Sequence, residues 1–254
     1  MEKQRYFLYL SYLGNGYSGW QVQPGKNTIQ GTLEDALSTI LQEEITCTGA
    51  GRTDTGVNAF FFVAHFDSDK EGLDTNDNFI FRLNRFLPAE IAIRMVRKVK
   101  SDAHARFGAL SRTYEYTITK SKNPFIKDTS WLRHGELNIE AMNIACSYLL
   151  TYNDFTSFSK LHTDVKTNNC TVTEAWWTYT GDLIIFRITA DRFLRNMVRA
   201  IVGTMIEIGT GSLKPEDIKS IIEARDRSLA GKSVNAAGLS LVNIEYPEHL
   251  FISG

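Results

Sequence analysis

Gly49-Ala50-Gly51-Arg52-Thr53-Asp54-Thr55-Gly56-Val57-Asn58-Ala59 separates two apolar, strand-like runs, residues 44–48 before it and 60–66 after it. Three glycines within eight positions free the backbone to take positive φ and to approach another group closely, which simple turns seldom need so often. A carboxylate two residues from a guanidinium on such a loop can be held ionised and presented at a sheet edge, which suits a nucleophile. A hairpin turn whose Asp and Thr side chains bond the local backbone would use the same letters. The density of special residues between two apolar runs makes Asp54 the residue around which the chain is read.

Outward from this loop, residues 6–13 and 91–99 read as strands, and Ile29, Leu33, Ala36, Leu37, Ile40 and Leu41 fall at helical spacing, predicting a helix over 28–42. A helix over 76–86, ended by Pro88, completes the order β-α-β-β-α-β. The second half repeats it: strand 112–119, helix 138–150, strands 170–179 and 183–190, helix 191–208 and strand 239–246, with an inserted helix near 215–224. Two such units predict an α+β fold of two ferredoxin-like β-α-β-β-α-β halves with antiparallel sheets, helices on one face of each and a central cleft. The join falls near 103–108. It divides the chain into an N-terminal domain, 1–105, carrying the Asp54 loop, and a C-terminal domain, 106–254, carrying a tyrosine strand and an arginine helix.

With 254 residues, 43% hydrophobic, the chain has ample material for a core. Its net charge of −1 gives no global attraction for a polyanion, so any such case rests on local clusters. Residues 82–112 form one, with eight basic side chains against Glu90 and Asp102. Cys47, Cys146 and Cys170 are odd in number and widely spaced, as expected of reduced thiols in a cytosolic protein. His65, His104, His134, His162 and His249 show no metal-ligand spacing, so no metal is expected. The polar start lacks a signal segment, and no apolar run approaches the roughly 18 residues that span a bilayer, which predicts a soluble, cytoplasmic chain without a membrane partner.

Gly14-Asn15-Gly16-Tyr17-Ser18-Gly19 matches a dinucleotide fingerprint letter for letter. The fingerprint requires a helix to open within it, whereas Trp20 to Gly25 reads as loop, so we assign a flexible turn and no nucleotide cofactor. In the predicted helix 191–208, Arg192, Arg195 and Arg199 share one face. A solvated basic face is the ordinary explanation; three arginines without an interleaved acid also suit a phosphate backbone or a buried aspartate. In strand 112–119, alternation groups Arg112, Tyr114, Tyr116 and Ile118, with Tyr116 as half-buried filler and Arg112 with Tyr114 able to grip a phosphate and stack on a base. Trp20, Trp131, Trp176 and Trp177 are expected in the core, and Asp154-Phe155-Thr156-Ser157-Phe158 reads as a capped turn packing two aromatics.

On Gly19-Trp20-Gln21, Gly51-Arg52-Thr53-Asp54, Leu83-Asn84, Leu87-Pro88, Ala105-Arg106-Phe107, Arg112 with Tyr114, Asp154-Phe155, Ser157-Phe158 and Met197-Val198-Arg199, in that order, the chain resembles the tRNA pseudouridine synthase A (TruA) family nearly end to end. The resemblance implies isomerisation of uridine to pseudouridine in the tRNA anticodon arm, at positions 38 to 40, by a homodimer without cofactor. It implies Asp54 as nucleophile, Arg52 displacing the target base, Tyr114 stacking on it, and Arg199 paired with Asp54. Arg106, Arg112, Arg192 and Arg195, with Arg52 and Tyr114, would contact the RNA. Thr55 and Asn58 depart from the Ala and His common in that family, so no role here rests on an imidazole after the loop; Asn58 can still donate and accept hydrogen bonds, and the loop geometry is expected to survive.

The chemistry suits one carboxylate, because moving C1′ from N1 to C5 is redox-neutral and consumes no water; attack at C1′ and at C6 both remain open. A non-catalytic RNA-binding module and a hydrolase using Asp54 as acid or base also stay open. The hydrolase lacks a second carboxylate beside the loop, since Glu43, Glu44 and Asp67 lie on or beyond the flanking strands.

Overall fold

The computed structural model describes residues 3–160 and 167–252; His162 lies outside them. The fold is α+β and divides into two compact units, Met1–Leu110 with Leu241–Gly254, and Ser111–Ser240.

The first unit contains β1 (Gln4–Tyr12), α1 (Ile29–Leu41), β2 (Thr48–Gly49), β3 (Asn58–Ser68), α2 (Asp77–Phe86) and β4 (Ile91–Val99). β1 is central, antiparallel to β3 through pairs such as Phe7↔His65 and to β4 through Leu8↔Val96. Every β1 side chain from Tyr6 to Leu10 is buried, so the strand is apolar without alternation because both its faces are covered. On one face Phe7 meets the rings of Tyr246 at 5.1 Å and Phe251 at 6.1 Å, so the C-terminal segment joins the helices in covering this sheet. Arg94 is bulged opposite Tyr9 and Leu10, which shifts the phase of β4 between buried Ile93 and buried Val96.

The predicted strand 44–48 is corrected to Thr48–Gly49 alone. The preceding backbone is tied to α1 instead: Ile45 N–H donates to Ser38 Oγ at 3.0 Å and Cys47 N–H to Glu34 Oε1 at 2.7 Å. A donor bonded to a helix side chain is lost to the ladder. The helix starts fall at capping residues. Thr28, Asn76 and Asn138 accept through their side chains from Gly31, Phe79 and Ala141 N–H, and each helix begins one residue later.

The second unit contains β5 (Ser111–Thr119), β6 (Trp131–Leu132), α3 (Ile139–Leu149), β7 (Val172–Thr180), β8 (Leu183–Ala190), α4 (Met197–Gly209) and α5 (Asp217–Ala224). β8 lies antiparallel between β5 and β7, while the short β6 pairs parallel to β5, a departure from the all-antiparallel expectation. β9 (Leu239–Glu245) follows, its residues from Leu241 belonging to the first unit. Trp177 stacks on Phe186 at 4.8 Å in the core of the second unit. Trp20 and Trp177 are buried as expected, but Trp131 and Trp176 are only half-buried, and Trp176 Nε1 donates to Glu174 at 2.7 Å. Asp154 Oδ1 accepts from Thr156 N–H at 3.0 Å and Oγ1 at 2.6 Å, capping the turn that buries Phe155 and Phe158.

The predicted helix over 191–208 is also corrected, because α4 begins at Met197. Asp191 Oδ1 accepts the N–H groups of Thr171 at 2.8 Å and Arg192 at 2.7 Å, and Asn196 sits at φ 68, so 191–196 is held in a non-helical path. Arg192 and Arg195 therefore share no helical face with Arg199. No helix among the described residues is long and apolar enough to cross a membrane.

Acid should weaken this fold in a defined window. Burial, with the Arg5 guanidinium nearby, lowers the pKa of His65 to about 4. An unfolded histidine titrates near 6.5, so between these values the unfolded chain binds the extra proton and stability falls as pH drops, by roughly 2–3 kcal/mol at pH ~4.5. Asp67, held below the usual carboxylate range by its hydrogen bonds to Arg5, adds a loss only at lower pH. Urea unfolding at neutral pH and near pH 4.5 should show the histidine step, and His65→Gln should shrink it to the contribution of His104, whose pKa burial also lowers.

Candidate active site

The loop over 49–59 is shaped within the first unit by its spatial neighbours. Ala50 N–H donates to Val63 O of β3 at 2.8 Å, fixing where the chain leaves β2. Asp54 O accepts from Val57 N–H at 3.1 Å and Gly56 takes φ 77, so Asp54 heads a tight turn whose third residue favours glycine. The turn leaves Asp54 half-buried and Arg52 and Thr55 exposed, with Thr53 and Asn58 buried on either side.

A second loop braces the first. Tyr12 Oη lies 2.9 Å from Thr53 Oγ1, Trp20 N–H donates to Thr53 O at 3.2 Å, and Gly14 N–H donates to Asn58 Oδ1 at 2.7 Å. A Cβ on Gly14 would lie 2.3 Å from Val57 O, and one on Gly19, at φ +87, would lie 2.4 Å from Thr53 O. The segment 14–19 is therefore not a flexible turn but a surface seated backbone to backbone on the Asp54 loop. Asn58, a departure noted in the sequence, serves as the acceptor that joins the two loops across a separation of 44 residues. Sequence reasoning expected Asn58 to hydrogen-bond but not its partner; the paired glycines 14 and 19 were the available signal, read as a flexible turn.

The remaining residues singled out from sequence lie where their elements put them. Arg106 is exposed in the first unit. In the second unit Tyr114, half-buried on β5, meets Phe193 edge-on at 5.2 Å, and Arg112 Nη1 donates to Asp191 O at 2.7 Å. Tyr116 is fully buried and its hydroxyl donates to Asn235 O at 2.8 Å. Arg199, in the first turn of α4, donates from Nε to Val234 O at 2.8 Å. That anchor depends on Gly203, where a Cβ would lie 1.9 Å from Lys232 O, so the 231–235 segment can lie directly on α4. The segment 231–235 had no sequence signal of its own.

The cysteines are buried, and two of the acids nearest the loop, Glu43 and Asp67, are bonded elsewhere. Cys47, Cys146 and Cys170 are buried free thiols whose pKa values burial pushes up, that of Cys170 to about 12, so none is a thiolate at neutral pH. Glu43 accepts from Ser68 Oγ at 3.1 Å and Asp69 N–H at 3.0 Å, and Asp67 pairs with Arg5 at 2.7 Å.

The tRNA pseudouridine synthase family model matches residues 9–108 and 145–247. The chain belongs to that family. Among curated tRNA pseudouridine synthase A proteins, it is 50% identical to that of Parabacteroides distasonis over 251 residues, 98% of each chain. It is 51% identical to that of Bacteroides fragilis, over 99% of this chain and 100% of the relative. The Caldicellulosiruptor bescii protein is 39% identical over 94% of this chain and 98% of its own. The stretches matched to the tRNA pseudouridine synthase model include the Asp54 loop, Arg106, Arg192, Arg195 and Arg199; Arg112 and Tyr114 fall between them.

The backbone seating predicts a contrast between neighbouring glycines. Gly14→Ala should cost at least about 2 kcal/mol, because its Cβ meets carbonyl oxygen that cannot move without shifting the Asp54 turn. Gly16→Ala should cost about 1 kcal/mol, since Gly16 has φ +83 but nothing within 4 Å of the added Cβ. Chemical denaturation of both variants measures the difference.

Proposed function

We propose that this pseudouridine synthase family member isomerises uridine to pseudouridine in the anticodon stem-loop of tRNA, at positions 38 to 40, with Asp54 as nucleophile. The observation that supports this reading is a half-buried carboxylate at the head of a turn whose backbone is fixed from both sides. A reacting group on so rigid a carrier meets the demand of covalent catalysis for a preset geometry. The Asp54 carboxylate attacks either C1′, releasing N1 of the base, or C6 of the base. On either route the C1′–N1 bond breaks, the base turns, C5 bonds to C1′, the C5 proton leaves to solvent, N1 takes up a proton and the carboxylate is regenerated. The net change is an isomerisation that uses no oxidant and no water.

The other roles belong to the same proposal. Arg52, exposed two residues before Asp54, displaces the target base; Tyr114 stacks on it; Arg199 partners the Asp54 carboxylate. Extruding a stacked nucleotide costs a few kcal/mol, offset by stacking and by backbone contacts from Arg106, Arg112, Arg192 and Arg195. The proposal also includes two ferredoxin-like halves, 1–105 and 106–254, around a cleft, a homodimer and a cytoplasmic location. The hydrolase reading gains no support, because Glu43 and Asp67 are already bonded elsewhere.

Asp54→Asn is nearly isosteric. It should lower the release of tritium from tRNA carrying 5-tritiated uridine by about a thousandfold or more, the scale on which loss of a nucleophile is felt, while tRNA affinity and melting temperature stay near wild type. Retained turnover by a folded Asp54→Asn protein would remove the proposal, and a protein inactive before mutation but binding tRNA would favour the RNA-binding module.

A further inference from the structure

Residues 103–108 form a turn that is anchored at nearly every backbone position, yet carries a large ring into solvent. Arg5 Nη1 donates to Ala103 O at 3.1 Å, and Ala105 O accepts from the Tyr246 hydroxyl at 2.6 Å. Ala105 N–H donates to His65 Nδ1 at 3.1 Å. Arg106 and Phe107 N–H both donate to His104 Nδ1, at 3.1 and 3.2 Å, and Gly108 N–H donates to His104 O at 2.8 Å. The two imidazoles contact each other edge-on at 4.7 Å, and His104 packs on the Phe107 ring at 4.5 Å. On this scaffold Phe107 is 75% exposed, with the Arg106 guanidinium 5.4 Å from its ring centroid.

Phe107 differs from an ordinary exposed side chain in the number of backbone bonds that fix its turn, so the ring is held at the surface in a preset orientation that a stacking ligand can use. The charge says what the ring suits: the Arg106 guanidinium lies beside it, and Arg94, Arg97, Lys98 and Lys100 precede the turn in sequence, with Asp102 the one acid from Arg94 to Arg106. An aromatic face flanked by cations fits an unpaired nucleobase beside its phosphates. We infer that Phe107 is a base-stacking residue for single-stranded RNA, and that His65 and His104 are positioning residues that hold its turn by accepting backbone N–H groups. The inference rests on the reading of this protein as a tRNA-modifying enzyme for the identity of that RNA. Both imidazoles stay neutral and so remain acceptors: burial lowers both pKa values, and the facing groups Arg5 and Arg106 oppose protonation while Asp67 alone favours it at His65.

The test titrates an anticodon-arm RNA hairpin against full-length wild type, Phe107→Ala, Phe107→Trp, His104→Ala, His104→Asn and the double variant Phe107→Ala/His104→Ala, with pseudouridine formation in tRNA measured alongside. Phe107→Ala should weaken binding about tenfold, the scale of one lost base stack, with melting unchanged. Phe107→Trp should bind as wild type with its added fluorescence quenched by RNA. His104→Ala should weaken binding when Phe107 is present and add nothing to Phe107→Ala, and His104→Asn, which keeps an acceptor, should recover part of the loss. Binding by Phe107→Ala within twofold of wild type overturns the inference, as does a change in sedimentation of that variant without RNA, which would give the ring to a protein interface. Normal pseudouridine formation with unaffected binding by Phe107→Ala sinks the inference alone. Weakened binding with no pseudouridine formed by wild type sinks the functional reading alone.

Discussion

Direct contact between two stretches of backbone sets the geometry of the Asp54 loop. Gly14 and Gly19 bring one loop to within van der Waals reach of the carbonyls of Val57 and Thr53, where any side chain on either glycine would force them apart. Hydrogen bonds from Trp20 and Gly14 and the Tyr12–Thr53 hydroxyl pair then fix the register of the two loops. The surface that results has few rotatable bonds between the β1–β3 ladder and the carboxylate. Groups that react must be held to within about half an ångström, which loops achieve only when a second layer locks them. The brace locks the Asp54 loop in this way within the first unit while leaving Asp54 half-buried.

The second unit uses the same device for a different residue. Gly203 on α4 and Gly231 meet without side chains between them, Gly231 N–H donates to Thr204 Oγ1 at 2.9 Å, and the chain then carries Val234 O to Arg199 Nε. Arg199 is therefore placed by a glycine contact one helical turn away along α4. Tyr116, buried below Gly238 and bonded to Asn235, fixes the far end of the same segment. In both units, residues that the family resemblance singles out are held by groups with no chemistry of their own.

What could be read from the sequence was local. Thr28, Asn76 and Asn138 mark helix starts because a cap bonds an N–H three residues away, a distance spacing can see. The Asp54 loop stood out for its glycines, and the capped turn at Asp154 followed from Asp and Thr two residues apart. The errors arose where distant partners decide. Residues 44–47 have strand-like letters, yet Ser38 and Glu34 on α1 take the N–H groups of Ile45 and Cys47. The arginine pattern from Arg192 to Arg199 is helical on paper, but the Asp191 side chain and the left-handed Asn196 delay the helix. Gly14 and Gly19 matched a nucleotide motif because close approach to a phosphate and close approach to a carbonyl require the same absent side chain. That Asn58 would hydrogen-bond was readable from its side chain, but its partner Gly14, far away in sequence, was not.

Under the proposed mechanism the brace, and not the carboxylate alone, makes Asp54 competent. The most direct measurement is the single-turnover rate of pseudouridine formation in tRNA at saturating enzyme, comparing wild type with Asn58→Ala, which removes the acceptor for Gly14 N–H without touching Asp54. The account predicts a rate at least about tenfold lower, since small misplacements of a reacting group are costly, with tRNA affinity within a factor of about two and cooperative unfolding retained. An Asn58→Ala protein that turns over tRNA at the wild-type rate would contradict it.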